Sequence, residues 1–305
     1  MNDDNKQYYA LAKKSSYCAL GVVTIILLCK AYACVATNSL AIFASLLDSC
    51  FDLSASLVNL FALTYSAMPA DDNHRFGHNK IEDIAIFAQS IFFIGSSAFM
   101  LFNCATRFVN PEEVMSIDIG INIMLLSVVM NLALVLYQSQ IIKKTNSNLV
   151  EADKLHFLVD ALTSFVTLMA LFFVQSFPQI DIIGGILISI YMFHSAFKLL
   201  RKSLKNLLDE EFSKEEKEQI LFVIAKYHEV RGVHELKTRN AGNKKFIQFH
   251  IELDGNMNLI TAHSLSDSIM AELQQYFPKS EILIHQDPEG FEDDTPYKEE
   301  LKREA

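Results

Sequence analysis

Residues 39–67 read SLAIFASLLDSCFDLSASLVNLFALTYSA, an apolar run whose only charged side chains are Asp48 and Asp52. A helix needs about 20 residues to cross about 30 Å of hydrocarbon, and this run is longer than that. Carboxylates at membrane depth are costly and face a pathway or a partner. A second apolar run, 148–177, carries His156 and Asp160 at the same four-residue spacing. Residues i and i+4 share one helical face, so each run presents two donors on a single stripe. One imidazole nitrogen and three carboxylate oxygens make a tetrahedral set suited to Zn²⁺. The pattern predicts a membrane protein with a divalent-metal path through its helices.

Working outward, six segments have the length to span a bilayer: roughly 15–37, 39–67, 81–108, 117–141, 148–177 and 179–200. Pro69, Pro111 and Pro178 fall between segments rather than inside them. Thr37-Asn38 and Phe177-Pro178 leave room only for tight turns between antiparallel neighbours. Lys6, Lys13, Lys14, Arg75, Lys80, Lys143, Lys144, Lys154, Lys198, Arg201, Lys202 and Lys205 all fall on one side of this topology, against Arg107 on the other. The positive side is cytoplasmic, which puts both termini of an integral plasma-membrane protein there. The first apolar run lacks a small-residue cleavage site and is read as a retained helix. Lys30, inside it, is read as snorkelling or internally paired. Cys18, Cys29, Cys34, Cys50 and Cys104 form no C-x-x-C motif and are read as small core fillers.

The bulk numbers agree. A 305-residue chain that is 51% hydrophobic, with mean hydropathy +0.21, is too apolar for an ordinary soluble domain. The net charge of -10 argues against nucleic acid as a partner. The texture changes near residue 208. Residues 213–228 predict an amphipathic helix, with Ser213 as cap and Glu216 at the capping-box position. Strands are predicted at 230–239, 245–253 and 281–285, with a helix at about 260–277 and a turn at Gly242-Asn243. The fold class is therefore an α-helical membrane protein with six transmembrane helices plus a cytoplasmic α/β domain of order αββαβ. The domains are 1–208, 209–291 and an acidic tail, 292–305, with no predicted structure. After Pro288 the chain holds seven acids and three bases.

Depth constrains the pairs. Asp48 and Asp52 lie about 22–28 Å from the cytoplasmic end of the second helix, and His156 and Asp160 about 12–18 Å from the start of the fifth. They meet if the second helix projects some 10 Å into the cytoplasm. Two further clusters could hold metal. Asp71, His74 and His78 lie in the loop Asp71-Asp72-Asn73-His74-Arg75-Phe76-Gly77-His78. His234, His250, His263, His285 and Asp287 are spread over the soluble domain, where His250 alternates with core residues and His285 and Asp287 share a face. His194 is read as a packing residue and His228 as solvated.

The segments SLLDSCFDLSAS, PADDNHRFGHNKIED, HFLVDALTS, VRGVHELKTRNAG, FIQFHIEL, TAHSLSD and EILIHQDPEG together resemble the cation diffusion facilitator family, closest to its bacterial zinc/iron efflux branch. The resemblance runs from about residue 10 to 290. It implies a transport site at Asp48, Asp52, His156 and Asp160, and a second site at Asp71, His74 and His78. It implies a two-metal cytoplasmic site at His234, His250, His263, His285 and Asp287, with Asp287 bridging. It also implies a homodimer, exchange of metal for protons, a metallochaperone-like C-terminal domain, and an interlock between Lys80 and Asp209. Glu210 stands where a basic residue is expected after that aspartate.

The transported ion is read as zinc, which also serves as the structural ion, with Fe²⁺, Cd²⁺, Co²⁺ or Mn²⁺ open on the same donor set. A membrane metal sensor or binding protein without transport is the alternative, though a sensor has no need of ligands at membrane depth. A metallo-hydrolase lacks its H-E-x-x-H, and no enzyme activity is expected.

Overall fold

The computed structural model describes residues 3–37, 40–109, 118–173, 180–290, 298–299 and 301. The chain divides into two units, Asp3–Leu204 and Lys205–Ala305. The first unit is built from long helices: α1 (Asp3–Thr37), α2 (Leu40–Ser66), α3 (Lys80–Val109), α4 (Asp118–Thr145), α5 (Asn148–Phe173) and α6 (Ile180–Leu207). By length and composition, four stretches of them can cross a membrane among the described residues: Lys6–Val35, Lys80–Thr106, Met124–Thr145 and Ile182–Leu207. The two helices outside that set, α2 and α5, carry the acidic and histidine pairs.

The burial pattern fits a lipid solvent. Leu28, Phe61, Phe99, Phe102, Leu136 and Leu187 are exposed on the helix surfaces, where a water-soluble bundle would place polar groups. The interior joins Leu63, Ile86, Phe93, Leu149, Val150, Leu155, Val159 and Met192. Two glycines bring α6 close to its neighbours. A Cβ at Gly184 would lie 2.3 Å from Val166 Cγ1, and one at Gly185 would lie 2.6 Å from Cys104 Sγ. The cysteine expectation holds only at Cys104, which is buried; Cys18 and Cys50 lie on exposed faces. His194, expected to pack, is exposed on α6, while His228 is exposed as expected.

Buried polar groups tie the helices together. Asp153 on α5 accepts from Asn59 Nδ2 of α2 at 2.8 Å and from Gln138 Nε2 of α4 at 2.7 Å. Glu82 on α3 accepts from Tyr8 Oη at 2.8 Å and from Ser66 Oγ at 2.7 Å.

The second unit holds α7 (Lys214–Ala225), β1 (Gly232–Ala241), β2 (Lys244–Leu253), α8 (Leu259–Tyr276), β3 (Ser280–Pro288) and β4 (Lys298–Glu299). Ser213 caps α7 in a complete capping box with Glu216. The β1–β2 hairpin turns through Gly242, at positive φ, and Asn243. β2 and β3 pair in parallel, as α8 between them requires. The core joins Ile220, Val223, Ile224, Ile247, Phe249, Ile251, Ile269 and Leu273.

The sheet has the order β3-β2-β1-β4, one strand more than the three expected. Residues 298–299, inside the stretch expected to lack structure, pair with Val233 and His234. The reason is local: β1 would otherwise be an edge strand with an unpaired row of N–H and C=O groups.

Candidate metal centres

The α2 and α5 stripes meet. His156 Nε2 lies 3.0 Å from Asp52 Oδ1 and 3.6 Å from Asp160 Oδ2, and the three ligand atoms fall within 4.8 Å of one another. Asp52 stands 14 positions from the end of α2 and His156 eight from the start of α5. At about 1.5 Å per residue the two depths differ by about 9 Å, so α2 reaches past the start of α5 by that length. Asp48 sits on α2 four residues before Asp52, but its side chain lies outside the described residues.

The His156 ring is held by stacking on Phe93 at 5.6 Å and by the edge of Phe157 at 5.4 Å. Its Nε2 is buried and has no hydrogen-bond partner among the described residues. The 3.0 Å approach of Asp52 is close without lying along the N–H direction. A buried, undirected nitrogen between two carboxylates suits a ligand atom. The three side chains line a cavity of about 390 Å³, shared with Lys30, Ser49, Ser127 and Asn131.

The second cluster is built by the α2–α3 connection. Asp71 Oδ1 accepts from the backbone N–H of His74 at 2.6 Å and of Asn73 at 2.9 Å. The His74 N–H, with that of Asn73 and the His74 ring, holds the Asp71 carboxyl below the usual aspartate range. The positive φ of Gly77 turns the chain back, and its N–H donates to His74 O at 2.9 Å. His74 Nδ1 and His78 Nε2 each lie 3.3 Å from an Asp71 oxygen. His78 is buried edge-on against Tyr65, and its Nδ1 has no partner among the described residues.

The third cluster follows from strand register. His234 pairs with His250, and His250 with His285, so three imidazoles form one row across β1, β2 and β3. Asp287, two residues beyond His285, shares that face. Its Oδ2 lies 3.2 Å from His234 Nε2 and 2.9 Å from His250 Nδ1, and its Oδ1 lies 3.1 Å from His285 Nε2. One carboxylate thus meets three histidines. His263, on α8, stands outside this group in the single chain, 3.4 Å from Asp267 and largely exposed.

Sequence reasoning missed Glu252. Its Oε1 lies 3.3 Å from His234 Nδ1, and a Cβ at Gly232 would come within 2.6 Å of that oxygen. No local sequence signal could have found it, because Glu252 reaches His234 through the β1–β2 register, which pairs it with Gly232. Asp209 pairs with Arg239 Nη1 at 3.4 Å. Lys80 opens α3.

Residues 16–208 match the model of the cation efflux transmembrane domain, and residues 212–289 that of the cation efflux protein cytoplasmic domain. The chain is 42% identical over 299 residues to protein p34 of Rickettsia prowazekii, covering 98% of this chain and 100% of that protein. It is 35% identical over 285 residues to the cation-efflux pump FieF of Klebsiella pneumoniae, covering 93% of this chain and 95% of the pump. It is 39% identical over 287 residues to FieF of Shewanella oneidensis, covering 93% and 96%. A solved structure described as the putative zinc transporter CzrB in its Zn form shares 36% identity, covering 28% of this chain and 98% of that one, with TM-score 0.26. The chain therefore belongs to the cation efflux, or cation diffusion facilitator, family of integral membrane transporters.

Proposed function

We propose that this family member exports a divalent cation, zinc foremost, from the cytoplasm in exchange for protons. Alternating access would operate around Asp48, Asp52, His156 and Asp160. The observation that carries this is the convergence of Asp52, His156 and Asp160 from two helices, with ligand atoms within 4.8 Å of one another inside the bundle. Metal binding needs a neutral imidazole and ionised carboxylates, so protons and metal compete for one set of atoms. On the cytoplasmic side the site gives up protons and takes metal; on the proton-rich side it regains them and releases it. The donor set of one nitrogen with carboxylate oxygens favours zinc over manganese. Fe²⁺, Cd²⁺ and Co²⁺ are competing cargoes.

The same reading has six spans, both termini in the cytoplasm and a homodimer joined through the second unit. The row of His234, His250 and His285 around Asp287 would hold metal there and tighten the dimer when metal is abundant. The test is zinc uptake into inside-out proteoliposomes with an imposed pH gradient. Wild type takes up zinc, and Asp52→Ala and His156→Ala do not. Full uptake by either variant sinks the assignment. Zinc binding without flux in the wild type makes the protein a sensor instead.

A further inference from the structure

The proposed transport cavity is lined by one cation among the described residues, and it belongs to α1. Lys30 shares the cavity wall with Asp52, His156 and Asp160. Its Nζ donates to Ser49 Oγ at 2.7 Å, and Ser49 is 1% exposed. Lys30 lies seven positions from the end of α1, near enough to turn its amine toward the membrane surface. It turns inward instead. Ser49 stands three residues before Asp52, so the ammonium sits about one turn along α2 from the Asp52 ligand, on the same helical face.

We infer that Lys30 is a fixed counter-charge of the transport site, which sets the charge of the ion the site can carry and helps to release it. This rests on the reading above that Asp48, Asp52 and Asp160 form the site with neutral His156. Those three carboxylates bring three negative charges. A divalent ion cancels two, and the Lys30 ammonium cancels the third, so the ligands and Lys30 together sum to neutral; Asp153, outside the cavity lining, is held by its own bonds to Asn59 and Gln138. A monovalent ion would leave a net negative charge and a trivalent ion a net positive one, either of which is costly at membrane depth. The ammonium also repels the bound metal. It therefore opposes over-tight binding and favours escape when the site opens outward. Lys30 acts through the field of the site, and Ser49 positions it.

The test is zinc flux in proteoliposomes holding full-length wild type, Lys30→Met, Lys30→Gln or Lys30→Arg, with KM and maximal rate measured separately. Zinc binding to the same proteins in detergent is measured by calorimetry. Without the charge the metal is held more tightly and leaves more slowly. Lys30→Met and Lys30→Gln lower KM and the zinc Kd roughly tenfold, the size of one charge pair in a partly buried site, and the maximal rate falls with them. Lys30→Arg stays within about threefold of wild type in both, because the charge is kept. If Lys30→Met does not fold, Lys30→Gln carries the test, since its amide can keep the bond to Ser49. Wild-type KM and rate in Lys30→Gln overturn the inference. So does a raised KM, or a loss of flux that Lys30→Arg shares, because both indicate a structural role. Absence of zinc flux in the wild type overturns the transport reading itself and is separable from either result.

Discussion

Asn59, Gln138 and Asp153 offer a decisive perturbation, because three helices meet at one carboxylate. All three side chains are buried, with exposures of 2%, 0% and 3%. Each Asp153 oxygen accepts one amide N–H, at 2.8 Å from Asn59 and 2.7 Å from Gln138. A hydrogen bond to a charged group is worth about 1.5–3 kcal/mol, and an abandoned buried acceptor adds its desolvation penalty. Asn59→Ala or Gln138→Ala should each cost about 2–3 kcal/mol. For a unit of about 200 residues this lowers the melting temperature by about 4–12 °C. Asp153→Asn should cost at least as much as either, because it keeps one acceptor oxygen and turns an NH₂ donor toward the remaining amide donor. The reciprocal exchange, Asn59→Asp with Asp153→Asn, restores a carboxylate–amide pair between α2 and α5. The new amide oxygen on α5 still accepts from Gln138, so the double variant should recover at least half of the loss. Melting of detergent-purified protein, followed by size exclusion, reads all four. Single variants that melt within 1 °C of wild type, or an exchange no better than its parts, refute the reasoning.

Three further outcomes follow from other parts of the structure. Lys226 Nζ lies 2.6 Å from Glu272 Oε1, joining α7 to α8. The hydrogen bond from Lys226 holds Glu272 below its ordinary 4.5, and the same bond holds Lys226 above its ordinary 10.5. The glutamate contribution is thus fully present above pH 4.5 and disappears as the pH falls through the lower folded-state value. The lysine contribution is present below pH 10.5 and disappears as the pH rises through the higher one. Glu272→Gln should lower the melting temperature by less than about 3 °C at pH 7, as a partly exposed pair allows, and by nothing at pH 2–3; an equal loss at both pH values would contradict this. Gly184→Leu should wedge α6 from Val166 and cost about 1–3 kcal/mol, read as a lower melting temperature. Zinc at a hundredfold excess over its Kd should stabilise the second unit by about 2.7 kcal/mol. His234→Ala should remove most of that gain in a melt with and without chelator.

The sequence carried the six helices because apolar length is written in consecutive residues. It carried the approach of His156 to Asp160 because i,i+4 spacing survives folding unchanged. The cytoplasmic strands were legible through alternation, and the hairpin through Gly242-Asn243. Three features were not legible, each for a physical reason. The Asp153 knot joins residues 94 and 15 positions apart, and no local period encodes such a meeting. Glu252 enters the histidine row through cross-strand register, which depends on the bulge where the β1–β2 register shifts between His234 and Lys237. β4 was hidden because two residues in an acidic tail have no pattern of their own; the open edge of β1 recruits them. Lys30 was open to two readings, and its inward bond to Ser49 decides for internal pairing.

The three clusters differ in what it would take to break them. The loop donors Asp71, His74 and His78 sit within one covalent connection, pinned by backbone bonds to Asp71 Oδ1. The donors around Asp287 sit on paired strands of one sheet, whose register cannot shift without breaking its ladder. Both present donors at metal-ligand spacing, but neither can readily change its ligand set. The remaining cluster takes Asp52 from α2 and the His156/Asp160 pair from α5, two elements joined at this depth by side chains alone. A small slide or tilt of α2 against α5 separates the carboxylate from the imidazole while leaving both helices intact. Of the three, only this cluster can be assembled facing one side and taken apart facing the other. That separability, more than the donor chemistry all three share, is the reason to propose the α2–α5 cluster as the transport site.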